Sequence, residues 1–317
     1  MIDPDLEDSM AEVDPAIRSI LAERRVGASD DPVLARKLTL ERNAPWNATA
    51  PALPLVEDHL VPTDGAPLRL RLYAKDAAAT GTLLYLHGGG WVLGSIESHD
   101  GICRRLAAAG GFRLVSLDYR LAPEHPYPAA LDDVLTTIDW LRGEGRQFAP
   151  GALGVAGDSA GATLALAASL RLRAQGQRNV DWLGLLYGAY GRHFETASYQ
   201  RYGSDAYGLS VAAMRWFWGL YAGSTGSDDP FLAPLEGDAD FTGLPPLLVG
   251  AATCDPLADD SVALAVRLIE AGGDVDYRRW RGLTHGCLHW AARVPAVARV
   301  MDEVAQAAAR GLRQPGS

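Results

Sequence analysis

The chain has 317 residues, of which 48% are hydrophobic, 21% charged and 8% aromatic, the make-up of an ordinary globular protein rather than a disordered or fibrous one. Its formal net charge of −10 is repelled by phosphate backbones and anionic headgroups, so neither a nucleic-acid nor a membrane partner is expected. Cys103, Cys254 and Cys287 match no zinc or CxxC spacing, and the acidic N-terminus lacks the features of a signal peptide, so reduced thiols and a cytoplasmic location are the expectation.

Residues 3–42 carry helical spacing, with Val13, Ile17, Ile20 and Leu21 on one apolar face and Asp14-Pro15 as cap and first turn. A Pro- and Ala-rich stretch from Ala44 to Pro54 reads as a connector. Val56–Val61 and Leu68–Tyr73 alternate as strands, joined by a turn at Asp64-Gly65. Short apolar runs then alternate with helical ones. The expected strands are Thr82–His87, Phe112–Asp118, Leu153–Gly157, Trp182–Tyr187, Pro246–Ala252 and Val275–Trp280. The helices are Ile102–Ala109, Ala129–Arg142, Ala160–Ala174, Asp259–Ala271 and Pro295–Arg310. This order predicts an α/β fold: a mostly parallel central sheet, helices on both faces and an antiparallel edge. Gly188–Leu244 is too long for a plain connection and carries Trp216, Phe217, Trp218 and Tyr221, which suggests a lid or binding element. The run Arg278, Arg279 and Arg281 around Trp280 reads as the solvated face of a strand end.

The densest chemical signal is Gly157-Asp158-Ser159-Ala160-Gly161, between a buried-strand pattern and an Ala- and Leu-rich helix. A G-x-S-x-G at a strand-to-helix turn holds a nucleophilic serine on a sharp bend. Upstream, His87-Gly88-Gly89-Gly90 follows another strand. Consecutive glycines let backbone N–H groups approach a developing oxyanion, and the amide of Ala160 is the other expected donor. Acid and base should follow the serine in that order. Of the downstream histidines, His193 precedes any plausible acid and His289 falls on a helix pattern, whereas His285 sits in a glycine-flanked loop. Asp255 lies at the carboxyl end of the preceding strand; Asp259 and Asp260 read as the N-cap and first turn of the next helix.

With these residues in place the chain resembles the hormone-sensitive-lipase-like (family IV) bacterial esterases, and within them the short-chain acetyl esterases. The resemblance rests on His87–Trp91, His99-Asp100, Asp118–Glu124, Pro128–Ala130, Gly157–Gly161, Asp255–Leu257 and His285-Gly286, and spans about residues 40–310. It implies an α/β-hydrolase fold without a cofactor, a triad of Ser159, Asp255 and His285, and an oxyanion hole on Gly88, Gly89, Gly90 and Ala160. It further implies cap helices in residues 1–50 and a cap insertion at about 190–243, set on a catalytic domain of residues 51–317. Cys287 stands where many relatives carry an aromatic residue.

The expected activity is hydrolysis of acetyl to butyryl esters, with Trp91, Tyr187, Trp216 and Trp218 walling a short pocket. The partner is a small-molecule ester; a homodimer is compatible with the sequence. Two alternatives keep the fold: an amidase or deacetylase on the same triad, and a non-catalytic binding relative. A metal site at His285-x-Cys287-x-His289 is disfavoured, because residues two apart on a helix point away from each other.

Overall fold

In the computed structural model, which describes residues 9–23, 29–76, 79, 81–223 and 229–313, the strand order explains how separate motifs meet. The strands are β1 (Leu55–Val61), β2 (Leu68–Ala74), β3 (Gly81–Leu86), β4 (Arg113–Asp118), β5 (Ala152–Asp158), β6 (Trp182–Leu186), β7 (Leu247–Cys254) and β8 (Val275–Thr284). They form one sheet in the order β1-β2-β4-β3-β5-β6-β7-β8. β2 runs antiparallel to both β1 and β4, and the remaining pairs are parallel. The candidate site residues follow the carboxyl ends of β3, β5, β7 and β8, the edge where ligands bind in open parallel sheets.

The central strands are apolar on both faces because both faces are covered. Leu84, Leu86, Val155, Leu183 and Leu185 pack into one core with α4 (Ala129–Arg142), α5 (Ala160–Ala174) and α8 (Ala258–Glu270). The alternate residues Leu83, Tyr85, Ala156, Trp182 and Leu186 pack into a second core. Its helices are α1 (Pro15–Glu23), α3 (Ile96–Gly110) and α9 (Pro295–Gly311). A side chain taken fully from water in either layer contributes ~1.5–3 kcal/mol. No helix among the described residues is long and apolar enough to cross a membrane.

Several elements differ from the sequence expectation. The N-terminal helical stretch is interrupted and includes α1 and α2 (Pro32–Asn47), the latter opened by Asp31 accepting the Val33 N–H at 3.0 Å. Residues 3–8 of the expected stretch lie outside the described residues. α2 runs through Pro45 into the expected connector. A proline so near the end removes a single intrahelical bond, which makes this tolerable. α3 starts six residues before the apolar periodicity does, because Ser95 and Ser98 form a reciprocal capping box. β1 and β2 are joined by residues 62–67 rather than a tight Asp64-Gly65 turn. There Thr63 Oγ1 accepts the Gly65 N–H and donates to the Ala66 carbonyl. β8 extends to Thr284, so His285 follows a strand directly. The long insertion contains α6 (Ala197–Tyr202) and α7 (Val211–Ala222), and its residues 224–228 lie outside the described part.

Candidate active site

β5 is buried throughout its last six residues and delivers Ser159 into a bend with φ 53° and ψ −122°. That conformation costs a non-glycine residue ~1–3 kcal/mol and persists only when its surroundings enforce it. They do so here. The Ser159 N–H donates to the Leu186 carbonyl at 2.9 Å, and its own carbonyl accepts from Ala162 at 3.0 Å. Glycine is required on both sides. A Cβ on Gly161 would lie 2.0 Å from the Leu86 carbonyl oxygen, and one on Gly157 would lie 2.4 Å from the Gly161 carbonyl carbon.

The bend aims Ser159 at His285. The serine hydroxyl donates to His285 Nε2 at 2.9 Å, and His285 Nδ1 donates to Asp255 Oδ2 at 2.8 Å. Asp255 is fully buried, and its Oδ1 accepts the Leu257 N–H at 2.8 Å. The carboxylate thus holds the imidazole in the tautomer that leaves Nε2 free to take a proton from serine. The structure therefore brings together Ser159, Asp255 and His285, from three separate stretches of chain. His289 is directed elsewhere: its Nε2 accepts from Asn43 Nδ2 at 3.3 Å, and its ring meets His99 at 4.8 Å. Asp259 and Asp260 stand in the first turn of α8, as expected, but neither is its N-cap, which is Leu257 without a side-chain cap. Instead Asp259 accepts the Ser198 N–H, and Asp260 accepts those of Tyr190 and Gly191. Both anchor the insertion. Burial pushes Asp260 up to about 7 despite its two amide donors.

The glycine segment lies beside the serine. Gly89, Gly90 and Trp91 have φ of 124°, 61° and 60°, a left-handed run that the glycines make accessible. The N–H groups of Gly89, Gly90 and Ala160 have no protein acceptor among the described residues. Gly88 differs from the sequence expectation: its N–H is already donated to Asp158 Oδ1 at 3.1 Å. It is withdrawn from the set available to an oxyanion. His87 is buried and stacks on Tyr119 at 4.2 Å. Burial, reinforced by the neighbouring His99, pushes the His87 imidazole down to about 4.

A buried serine–histidine–carboxylate relay facing unpaired backbone donors, at the carboxyl edge of a parallel sheet, is suited to acyl transfer. The family described as alpha/beta hydrolase fold matches residues 83–289. The chain belongs to this α/β-hydrolase family. The hydrolase is 38% identical to an ethyl acetate hydrolase of Pseudomonas putida over 71% of this chain and 73% of that one. It is 32% identical to an acetyl esterase of Salmonella paratyphi B over 84% and 81% of the two chains. Among solved structures, an esterase of Pyrobaculum calidifontis superposes with a TM-score of 0.86 at 32% identity, covering 94% of this chain and 98% of that one. These relatives match the hormone-sensitive-lipase-like resemblance of the sequence, and the hydrolase is a serine carboxylic ester hydrolase of the same class.

The aromatic residues of the hydrolase divide by helical phase. On α7, Met214, Trp218 and Tyr221 are buried, while Trp216 and Phe217 are half-buried. Trp91 is parallel to Tyr221 at 4.3 Å and tilted against Trp218 at 4.4 Å. Tyr187 meets the His285 ring edge-on at 5.1 Å. Trp216 is tilted against Phe217 at 5.1 Å. Phe217 belongs to the aromatic cluster noted in the sequence but is not among the four residues expected to wall the pocket. Its ring covers Gly90 so closely that a Cβ there would lie 2.2 Å from it. The signal was present: Met214, Phe217, Trp218 and Tyr221 are spaced i, i+3, i+4 and i+7, one face of a helix, and Trp216 is off that face.

Proposed function

We propose that the hydrolase cleaves esters of short acyl chains, acetyl to butyryl, through an acyl-enzyme formed on Ser159. The relay of 2.9 and 2.8 Å from Ser159 through His285 to Asp255 carries the reading. In the forward step His285 Nε2 takes the Ser159 proton as Oγ attacks the ester carbonyl. The oxyanion is received by the N–H groups of Ala160, Gly89 and Gly90. His285 then returns the proton to the departing alkoxide. A water then attacks the acyl carbon as the same nitrogen takes its proton, and the C–Oγ bond breaks as that proton returns to Ser159 Oγ, releasing the acid.

The preference for short chains rests on what crowds the serine. Phe217 lies on Gly90, Trp91 clusters with Trp218 and Tyr221, and Tyr187 meets the His285 ring edge-on. An acyl chain that meets such a wall is excluded outright, whereas one methylene in a fitted pocket shifts discrimination by only ~1–3 kcal/mol. The relatives that act on ethyl acetate and acetyl esters fit this reading. Residues 1–50 and about 190–243 serve as the cap on the catalytic domain of residues 51–317. The helix α7 supports this by placing its aromatic face on the glycine segment.

A panel of p-nitrophenyl esters from acetate to decanoate tests the proposal. We expect kcat/KM to peak at two to four acyl carbons and to fall steeply by about eight. An optimum at ten or more carbons would overturn the closed pocket.

A further inference from the structure

His99-Asp100 stood out in the sequence, yet neither residue belongs to the relay. Asp100 has a structural use, accepting from Tyr73, Arg71 and Arg104. His99 is placed differently. It is buried on α3, behind the glycine segment, with Nδ1 2.8 Å from Ser98 Oγ. Its Nε2 accepts the Gly88 N–H at 3.3 Å, a donor it shares with Asp158, and lies 3.6 Å from Asp158 Oδ1.

Asp158 immediately precedes the serine, but its side chain turns away from the relay. Oδ1 accepts from the Tyr85 hydroxyl at 2.8 Å and from the Gly88 N–H at 3.1 Å. Oδ2 occupies the space that a Cβ on Gly88 would need, 2.6 Å away. The carboxylate is therefore in direct contact with the first residue of the segment whose next two N–H groups are unpaired. Burial works to raise the Asp158 pKa, but the His99 ring and the Tyr85 hydroxyl outweigh it and keep the carboxyl well below its usual range. A buried carboxylate with a histidine partner holds a backbone donor more firmly than a neutral acid does.

We propose that His99 is a positioning residue for ester hydrolysis. It partners the Asp158 carboxylate, which fixes Gly88 and so sets the direction of the Gly89 and Gly90 N–H groups. The inference rests on the oxyanion reading of that segment. His99 touches neither substrate nor the reacting atoms. Its influence converges on the Gly88 N–H, which it holds directly and through the Asp158 carboxylate beside it. The Ser98 hydroxyl fixes the ring from the other side, which aims Nε2 at Asp158.

The test is kinetic, on the full chain with p-nitrophenyl acetate. His99→Ala should lower kcat about 10- to 100-fold while KM moves less than about threefold, because the misdirected donors act in the transition state. His99→Gln retains a polar amide near the position of Nε2, able to accept the Gly88 N–H, and should recover most of the rate. Asp158→Asn should cost a similar factor, and His99→Ala with Asp158→Asn should be no slower than the slower single variant, since both act through one contact. A kcat within threefold of wild type for folded His99→Ala would overturn the proposal. Losses that multiply in the double variant would also overturn it, as would a loss confined to KM. If His99→Ala fails to fold, His99→Gln against Asp158→Asn decides by the same criteria. Failure of the underlying reading shows separately: Ser159→Ala would then still be labelled by an organophosphate, whatever the His99 variants do.

Discussion

The contact between the cap and the glycine segment is open to a direct test through Gly90→Ala. Gly90 has φ 61°, where alanine costs ~1–2 kcal/mol. The added methyl would also meet the Phe217 ring at 2.2 Å, at the base of the ring rather than its mobile end. Overpacking of that kind costs ~1–3 kcal/mol, so the single variant should lose ~2–5 kcal/mol in all. Phe217→Ala alone removes a half-buried ring. Combined with Gly90→Ala it also removes the clash and leaves only the backbone term. The double variant should therefore be more stable than the sum of the singles by ~1–3 kcal/mol. Denaturant unfolding measures the stability side and kcat/KM on p-nitrophenyl acetate the functional side. Gly90→Ala should lose activity more than ~100-fold if its N–H is a donor, and part of that loss should return with Phe217→Ala. Losses that add to within ~0.5 kcal/mol would refute the placement of the ring on the segment.

Further outcomes follow from the relay and from the buried titrating groups. His285→Ala should cost about as much activity as Ser159→Ala, because the relay acts as a unit. Asp255→Asn should cost less, since it misorients the imidazole without removing it; steady-state kinetics rank the three. His87 is held near 4 when folded, against an ordinary value of 6.5. The unfolded chain binds its proton first, so stability is lost as pH falls from about 6.5 towards 4, by up to about 3 kcal/mol. His87→Gln should flatten that limb in melting curves taken against pH. Asp260 has the opposite sign, with a folded value of about 7. Its stability contribution is present below about pH 4 and lost as pH rises through 7. Asp260→Asn should therefore gain on wild type as pH rises over that range.

The features legible in sequence are those where backbone geometry dictates residue identity. The bend at Ser159 admits only glycine at 157 and 161 because Leu86 and the helix start lie against it. The spacing of those glycines around the serine therefore marks the elbow in the amino-acid sequence itself. The parallel strands are legible because burial on both faces leaves continuous apolar runs. What stays hidden depends on side chains meeting across the fold. The start of α3 is set by Ser95 and Ser98 bonding to each other, a signal without apolar periodicity. Asp259 and Asp260 are the helix-terminal acids the sequence suggests, but only the path of the insertion gives them the amides of Ser198, Tyr190 and Gly191. Gly88 looks equivalent to Gly89 and Gly90 in sequence, but Asp158 turns back to take its N–H. Trp216 and Trp218 are singled out in the sequence with Trp91 and Tyr187, whereas the phase of α7 sets Phe217 on Gly90 and Trp218 on Trp91.

The central claim is that Ser159 is the nucleophile of an ester hydrolase, and covalent labelling tests it most directly. Wild-type protein and Ser159→Ala are each incubated with diisopropyl fluorophosphate, followed by intact mass and peptide mapping. The account predicts one diisopropylphosphoryl group on Ser159 of the wild type with loss of activity, and no adduct on Ser159→Ala, which keeps the native circular dichroism spectrum. An adduct on another residue that accompanies inactivation, or labelling that persists in Ser159→Ala, would contradict it.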